Sequence, residues 1–400
     1  VAFLCAIPNS PTYYDPVTNM EHTLKRRDLI LQNMKDDGKI TQEQYYEATK
    51  EDIELNRPKK KNTDKINNYV DTYAYYCATR ALMEQEGFTF QYYFDSDEEK
   101  KAYDEQYDEL YAACQKKLYS GGYKIYTTID MDKQKKLQST VDDTLAGFTK
   151  KNDDGTYDMQ GAAVTIDNNT GYVVAIVGGR NQDFNSYTLN RAFQSHRQPG
   201  SSIKPLIVYT PAFERGYDPN TIVDDHKFEG GPSNATNTYV GKVPLRYAVA
   251  KSLNTVAWQV YEQITPKVGL QYLKNMNFSS IVKDDYTLAT SLGGFTKGVS
   301  PLEMASAYAA LENDGMFRQP NCVKSIVDAE ENVVYSSQMT EVSIYEQDAA
   351  RTMTDVLTTV MDSGTGKALK LSNMPCAGKT GTTNDHKDGW FVGYTRYYTT

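Results

Sequence analysis

The chain has 400 residues, of which 40% are apolar, and a formal net charge of −9. A chain of this length exceeds the size at which one hydrophobic core stops growing, so we expect two or more structural units. The acidic balance and the absence of an arginine-rich tract argue against nucleic acid as the main partner, and no apolar run reaches the ~18 residues typical of a membrane span.

The first 57 residues are predicted to be helical. Apolar residues recur at helical spacing over Met20–Asp36, and the capping-box pattern of Thr41 and Gln44 predicts the start of another helix. Residues 56–62 are polar and basic. They predict a linker, with a solvated tether favoured over a surface for polyanions or membranes.

The region 58–121 is predicted to connect two domains through two helices. The first covers residues 68–86, and the second begins at a capping-box pattern of Ser96 and Glu99. The second helix carries a stripe of residues at helical spacing: Tyr103, Tyr107, Leu110, Tyr111 and Cys114. We interpret this stripe as a packing surface rather than a ligand platform.

The five cysteines are scattered and form no Cys-x-x-Cys pair, so buried thiols are the expected state for most of them. Cys77 and Cys114 both fall in predicted helices of one region, which leaves a disulfide between them open. Sequence cannot show the short Cα separation that such a bond needs. The histidines show no metal-ligand spacing among themselves or with cysteines: His22, His196, His226 and His386. We therefore predict no metal site.

From residue 122 onward the pattern mixes strands and helices. Alternating β-branched and aromatic residues predict a strand over 123–129, and two apolar runs around the turn 167–171 predict a hairpin. A short hairpin over 326–335 and paired strands from Lys379 onward are also predicted. The predicted helices cover residues 132–148, 245–264, 267–276, 301–313 and 348–361. Helices between two blocks of antiparallel strand indicate an α+β domain.

Ser201 and Lys204 stand three residues apart behind a Pro-Gly pair. If a helix starts there, both side chains lie on one face. Serine is a poor nucleophile at neutral pH unless a neighbouring group takes its proton, and an amine kept partly neutral by its surroundings can do this. By itself the pair fits an ordinary helix start as well, with a capping serine and a solvated lysine.

Two further motifs, Ser252-Leu253-Asn254 and Lys379-Thr380-Gly381, follow in the order found in serine enzymes that act on penicillin-like acyl substrates. This order favours a catalytic function for the first pair. Ser201 is then predicted to attack a carbonyl carbon, with Lys204 as general base, and to form an acyl-enzyme ester.

The other two motifs are predicted to serve the same acyl transfer. Ser252 relays a proton to the leaving amine, and Asn254 fixes the lysine amine and a substrate amide. Lys379 and Thr380, at the start of a strand, supply a cation and a hydroxyl for a substrate carboxylate. Gly381 has no side chain, so substrate can lie close to the strand edge.

The motifs and their surroundings resemble the transpeptidase domain of class A, bifunctional penicillin-binding proteins. The likeness runs from about residue 122 to residue 400 and is carried by residues 197–205, 245–254, 292–305, 378–383 and 388–394. It implies the fold of penicillin-binding proteins and serine β-lactamases, an antiparallel sheet with helices on both sides. It also implies that the backbone N–H groups of Ser201 and Thr382 hold the oxyanion, and that Lys379, Thr380, Gly381, Thr382 and Thr383 bind substrate.

The resemblance extends to the N-terminal part, since residues 6–16 and 26–31 are similar to the last helices of the family's glycosyltransferase domain. It implies three regions: glycosyltransferase helices over 1–57, a connecting region over 58–121 and the transpeptidase domain over 122–400. The glycosyltransferase's catalytic glutamates, the family's membrane anchor and the last strands of the transpeptidase domain are expected to lie outside the chain.

By resemblance, we expect a serine D,D-transpeptidase that cross-links peptidoglycan stem peptides without a cofactor. Its expected partners are stem peptides ending in D-Ala-D-Ala, glycan derived from lipid II, and β-lactam antibiotics. The full-length protein is expected outside the cytoplasm, anchored to the cell membrane and active as a glycosyltransferase too, with the present chain soluble.

The main rival functions are a serine β-lactamase or a β-lactam sensor of the same fold. A class A β-lactamase needs a glutamate that activates water for deacylation. The nearest similar stretch, residues 52–56, precedes the nucleophile and has Asp52 at the glutamate position. Leu253 also replaces the aspartate usual in those lactamases. A non-catalytic binding module, the other rival, would not need all three motifs.

Overall fold

The computed structural model describes residues 1–55, 68–153, 155–180, 188–384 and 387–400. The chain divides into two compact units, Val1–Lys65 and Ile66–Thr400. The predicted linker over 56–62 and His386 lie outside the described residues.

The described part of the first unit contains three α-helices and one 3-10 turn (Ile7–Asn9); the α-helices are α1 (Ala2–Ala6), α2 (Met20–Asp36) and α3 (Gln42–Lys50). The capping box predicted at Thr41 is present, because Gln44 N donates to Thr41 Oγ1 and Thr41 N donates to Gln44 Oε1. Buried Arg27 of α2 donates to the carbonyls of Thr49 and Glu51 at the end of α3. These bonds join the two helices where the α3 carbonyls lack helical partners.

The second unit contains both helices and strands. Its helices are α4 (Asn68–Gln85), α5 (Asp97–Ser120), α6 (Met131–Leu145), α7 (Arg191–Gln194), α8 (Thr210–Phe213), α9 (Leu245–Lys251), α10 (Asn254–Ile264), α11 (Pro266–Asn275), α12 (Pro301–Glu312) and α13 (Gln347–Ser363). Its strands are β1 (Lys124–Thr127), β2 (Ala163–Asp167), β3 (Val173–Val177), β4 (Ile222–Asp225), β5 (Gly241–Pro244), β6 (Met316–Arg318), β7 (Val323–Val327), β8 (Val333–Ser336), β9 (Glu341–Ser343), β10 (Ala377–Thr382), β11 (Gly389–Tyr394) and β12 (Tyr398–Thr399).

The principal sheet is antiparallel, with the strand order β10-β11-β12-β2-β3. All five residues of β3 are buried, as expected for a strand covered on both faces. Helices α4 and α6 contact β3, α12 contacts β2 and β11, and α13 contacts β10. The predicted α+β class, with an antiparallel sheet between helices, is confirmed.

Helices α4 and α5 belong to the same compact unit as this sheet. Tyr103 and Tyr107 of the α5 stripe pack against Phe88, which lies between the two helices, and the stripe belongs to the same apolar cluster as residues of α4. At the start of α5, Ser96 Oγ accepts from Glu99 N, but the Glu99 carboxylate binds Asp95 N instead of closing the predicted capping box. The stripe is thus a packing surface, as predicted.

Cys77 of α4 and Cys114 of α5 are both buried free thiols, so the disulfide left open between them is not formed. Cys322, also buried and free, belongs to the same apolar cluster as the other two thiols. In this cluster the cysteines act as small apolar side chains.

Candidate active site

The segment that carries Ser201 is anchored in the largest apolar core of the second unit. A 3-10 turn, Gly200–Ile203, leads into a π-helical turn, Pro205–Tyr209, and then into α8. Ile203 and every residue of the π-helical turn are buried, whereas Ser201 stays partly exposed. The core therefore holds the backbone on either side of Ser201, while Ser201 itself remains partly accessible.

Two buried tyrosine hydroxyls fix this segment from the far side. Tyr308 of α12 donates to Ser202 O at 2.6 Å, and Tyr345 donates to Leu206 O at 2.7 Å. Both bonds tie the backbone of the segment to buried side chains of the core.

Two glycines bring this segment against strand β10. Gly200 has φ +54°, and a Cβ there would lie 2.5 Å from Thr382 O. A Cβ on Gly381 would lie 2.3 Å from Pro199 O and 2.9 Å from Ser202 N. Gly381 was expected to make room for substrate. In the structure, the space at Gly381 is occupied by the backbone that carries Ser201.

Lys204 points into the protein and is fully buried. Its Nζ donates to Asn254 Oδ1 at 2.7 Å, to Ser252 O at 2.9 Å and more weakly to Leu253 O at 3.4 Å. Burial, together with the nearby charge of Lys379, holds the pKa of Lys204 well below its ordinary value. A neutral amine keeps two N–H donors for the two short contacts, and its lone pair remains available for a proton.

The turn at Ser252 interrupts what was predicted as one helix over 245–264, and that prediction is wrong. Ser252 is left-handed, at φ +59° and ψ +37°, and it ends α9, after which α10 begins at Asn254. A non-glycine residue in this region costs roughly 1–3 kcal/mol. The break turns the carbonyls of Ser252 and Leu253 towards Lys204, where an unbroken helix would have used them internally.

Asn254 is held by both ends of its amide. Its Oδ1 accepts from Lys204, and its Nδ2 donates to Ser233 O at 2.9 Å. The predicted contact between Asn254 and the lysine amine is therefore present. One N–H of the amide, which was expected to bind a substrate amide, is used by Ser233.

Lys379 of β10 is also fully buried, and burial lowers its pKa to about 7. Its Nζ donates to Ser252 Oγ at 2.9 Å and to Thr380 O at 3.0 Å. Ser252 thus binds one lysine through its carbonyl and the other through its hydroxyl. A proton can pass between Lys379 Nζ and Ser252 Oγ along the hydrogen bond that joins them.

The three motifs that are far apart in sequence are therefore adjacent in space, around Ser201. A match to the family of penicillin binding protein transpeptidase domains covers residues 161–400 and includes every motif residue. The chain belongs to this family. The family recognised from the sequence is confirmed.

Curated relatives in the family match the whole chain. Penicillin-binding protein 4 of Bacillus subtilis (strain 168) is 34% identical over 403 residues, with 100% of this chain and 62% of the relative covered. Penicillin-binding protein 1A/1B of the same organism is 33% identical over 421 residues, with 100% and 42% covered. The chain thus spans less than two thirds of the length of these relatives.

Solved structures in the family share the fold. Penicillin-binding protein 1A from Haemophilus influenzae aligns with a TM-score of 0.64 at 18% identity and covers 100% of this chain and 74% of its own. The PonA1 protein from Mycobacterium tuberculosis, solved in complex with penicillin V, aligns with a TM-score of 0.63 at 22% identity and covers 82% of each chain. None of the helices described in the present structure is long and apolar enough to cross a membrane.

Thr365 lies beside the motif residue Thr380 and was not identified from the sequence. Its Oγ1 lies 2.6 Å from Thr380 Oγ1, and its N–H donates to Ala250 O at 3.1 Å. It belongs to a Ser-Gly-Thr-Gly stretch over residues 363–366, at the end of α13. Two hydroxyls, not one, therefore stand at the exposed face of β10.

A second network missed from the sequence joins the two ends of the site. Arg197 Nε donates to Asp388 Oδ1 at 2.7 Å, and Asp388 N donates to Thr383 Oγ1 at 2.9 Å. Thr383 N in turn donates to Asp388 O at 3.1 Å. This network holds the end of β10, including exposed Thr382, beside the residues that precede Ser201.

Proposed function

We propose that the chain is a serine D,D-transpeptidase that cross-links peptidoglycan stem peptides through an acyl-enzyme on Ser201. The observation that carries the proposal is the state of Lys204: it is fully buried, its pKa is held well below the ordinary value, and its Nζ is fixed by Asn254. A neutral, oriented amine on the same short turn as a serine is suited to act as its general base.

In the first step, Ser201 Oγ attacks the carbonyl carbon of the penultimate D-alanine and its proton passes to Lys204 Nζ. The backbone N–H groups of Ser201 and Thr382 would hold the oxyanion. The C–N bond to the last D-alanine then breaks, and its amine takes a proton through Ser252 Oγ. That hydroxyl is bonded to Lys379 Nζ, which can replace the proton.

In the second step, an amine on a neighbouring strand attacks the ester carbonyl and its proton passes through Ser252 Oγ back to Lys379 Nζ. The C–O bond to Ser201 breaks, and the Ser201 oxygen takes back its proton from Lys204. The terminal carboxylate of the donor peptide would bind the hydroxyls of Thr380 and Thr365, with the cationic form of Lys379 next to Thr380. A β-lactam carries both an acyl carbon and a carboxylate, so it would acylate the same serine. Its leaving amine stays attached, which leaves the acyl-enzyme in place.

For the protein as a whole, we propose the division made from the sequence: glycosyltransferase helices over 1–57, a connection over 58–121 and the transpeptidase over 122–400. The curated relatives extend well beyond the matched segment. For a longer protein of this kind we also propose glycan polymerisation from lipid II and an extracytoplasmic, membrane-anchored location.

The test is incubation with a labelled penicillin, followed by intact mass measurement. We expect a stable adduct on the unmutated chain, none on Ser201→Ala, and the normal adduct on Ser139→Ala, in which an exposed serine of α6 is lost. An adduct that survives Ser201→Ala would rule out the assignment. Rapid loss of the adduct with hydrolysis of the drug would instead indicate a β-lactamase.

A further inference from the structure

Two buried polar residues near the site have no part in the mechanism above. Asp225, at the end of β4, is 1% exposed, and Asn234, in the connection between β4 and β5, is 4% exposed. A buried carboxylate or amide is costly unless each of its polar atoms is bonded, so the bonds that these two residues make show what holds them inside the protein.

Asn234 acts as the cap of helix α10, although it lies 20 residues before it in the sequence. The residue at the cap position, Leu253, has no side-chain oxygen to offer. Asn234 Oδ1 accepts instead from Asn254 N at 2.7 Å and from Thr255 N at 3.4 Å. It thereby satisfies the first free N–H groups of the helix that begins at the catalytic asparagine.

Asp225 fixes the orientation of this cap. Asn234 Nδ2 donates to Asp225 Oδ1 at 2.7 Å, so the amide oxygen must face the helix. Thr255 Oγ1 donates to the same carboxylate oxygen, and Val240 N donates to Oδ2 at 2.8 Å. Among the described residues, no cationic side chain pairs with Asp225; its bonds are to the helix start and to its own hairpin.

The connection between β4 and β5 also holds the side chain of Asn254 in place. Ser233 O accepts from Asn254 Nδ2, which leaves Asn254 Oδ1 facing Lys204 Nζ. If the Asn254 amide turned over, its N–H group would face Lys204 Nζ. The lone pair of Nζ, which is to act as the general base, would then lose its orientation. Residues 233 and 234 therefore hold both the backbone and the side chain of Asn254.

We propose that Asn234 and Asp225 are positioning residues for acyl transfer: Asn234 caps α10 at Asn254, Asp225 orients that cap, and together they hold Asn254 against Lys204. The inference rests on the proposed function and adds to it a part of the chain outside the three motifs. It predicts that loss of the cap slows the covalent step more than it weakens the non-covalent binding of a penicillin.

The experiment is stopped-flow acylation by a fluorescent penicillin, which separates the dissociation constant from the first-order acylation constant. In Asn234→Ala we expect the first-order constant to fall by about tenfold to a hundredfold, as for other small displacements of catalytic groups, with a nearly unchanged dissociation constant. Asp225→Asn keeps an acceptor for Asn234 but places an N–H group against Val240 N, so its loss should be smaller.

Matched controls are Asn220→Ala and Asp224→Asn, which make comparable changes at exposed side chains of the same hairpin region and should acylate normally. Rates are compared per active site after titration, and melting temperatures are measured for each variant. A lower melting temperature with an unchanged first-order constant would mean a purely structural role and would overturn the inference.

If Asn234→Ala does not fold, Asp225→Asn decides: a first-order constant equal to that of the unmutated chain overturns the inference. Failure of the unmutated chain to acylate at Ser201 overturns the proposed function and this inference with it. Normal acylation of the unmutated chain together with normal constants in folded Asn234→Ala overturns only the inference.

Discussion

The two halves of the site are held in different ways. The half that would do the chemistry, around Ser201 and Lys204, is fixed by core packing and by buried hydroxyls such as Tyr308. The half that would recognise a carboxylate, around Thr380 and the end of β10, is fixed by partly exposed polar contacts with Thr365 and with the Asp388 network.

This difference indicates which changes each half tolerates. Buried packing transmits small displacements, so a change beneath Ser201 should slow the chemical step strongly. Exposed hydrogen bonds each contribute only about 1 kcal/mol, so changes around Thr380 should adjust affinity by modest factors. The predictions below run from the largest expected effect to the smallest, and each compares the two halves.

The largest effect is expected for Lys204→Met. Loss of a general base typically slows a reaction by about 10²- to 10⁴-fold, so the first-order constant of acylation should fall by that factor. The dissociation constant of the penicillin should change little, because the amine is fully buried. The matched control is Lys267→Met, at an exposed lysine of α11, which should acylate normally. Acylation at a normal rate in Lys204→Met would exclude Lys204 as the base.

A large effect is also expected for Gly381→Ala, where the two halves touch. The added Cβ would meet Pro199 O, so the nucleophile segment must shift. Overpacking of this kind costs about 1–3 kcal/mol, and a displaced nucleophile should slow acylation by about tenfold or more. Both the melting temperature and the first-order constant should fall.

The control for Gly381→Ala is Gly389→Ala on the neighbouring strand, where nothing lies within 4 Å of the added Cβ. If Gly381 instead served only to admit substrate, the dissociation constant would rise while the melting temperature stayed the same. That result would contradict the close approach of the nucleophile segment as its reason.

The amino-acid sequence was sufficient for the fold class, for most helices and for the order of the three motifs, because periodicity and residue type are local signals. It was not sufficient for the break at Ser252. The periodicity on either side is helical, and the left-handed residue is stabilised by Lys204 and Lys379, which lie 48 and 127 residues away. Thr365, Asn234 and Asp225 were missed for the same reason, since each acts through partners distant in sequence.

The two halves should also differ in their dependence on pH. Burial lowers the pKa of Lys379 to about 7, so its positive charge is lost as the pH rises through about 7. The second-order acylation constant, which reflects the free enzyme, should therefore fall above that pH for a penicillin with a free carboxylate, by up to about tenfold per pH unit.

A penicillin methyl ester is the matched probe for this dependence, because it has the same acyl carbon and no carboxylate. Both compounds should share the limb on which the Lys204 amine becomes neutral as the pH rises. Above pH ~7 the free acid should decline more steeply than the ester, because the ester loses only the proton supplied by Lys379 and not a carboxylate contact. Identical profiles for the two compounds would show that Lys379 acts in the chemistry and not in recognition of the carboxylate.

The smallest effect is expected for Thr365→Val, which removes the hydroxyl 2.6 Å from Thr380 Oγ1 and keeps the shape of the side chain. One hydrogen bond contributes about 1 kcal/mol, so binding of a penicillin with a free carboxylate should weaken by about fivefold. The first-order acylation constant should stay the same, because the hydrogen bonds of Lys204 Nζ and Ser252 Oγ do not involve the Thr365 hydroxyl. Thr340→Val, at an exposed threonine before β9, serves as control. If only the first-order acylation constant changed, Thr365 would act in the chemistry and not in recognition of the carboxylate. The difference between the two halves of the site would then not hold.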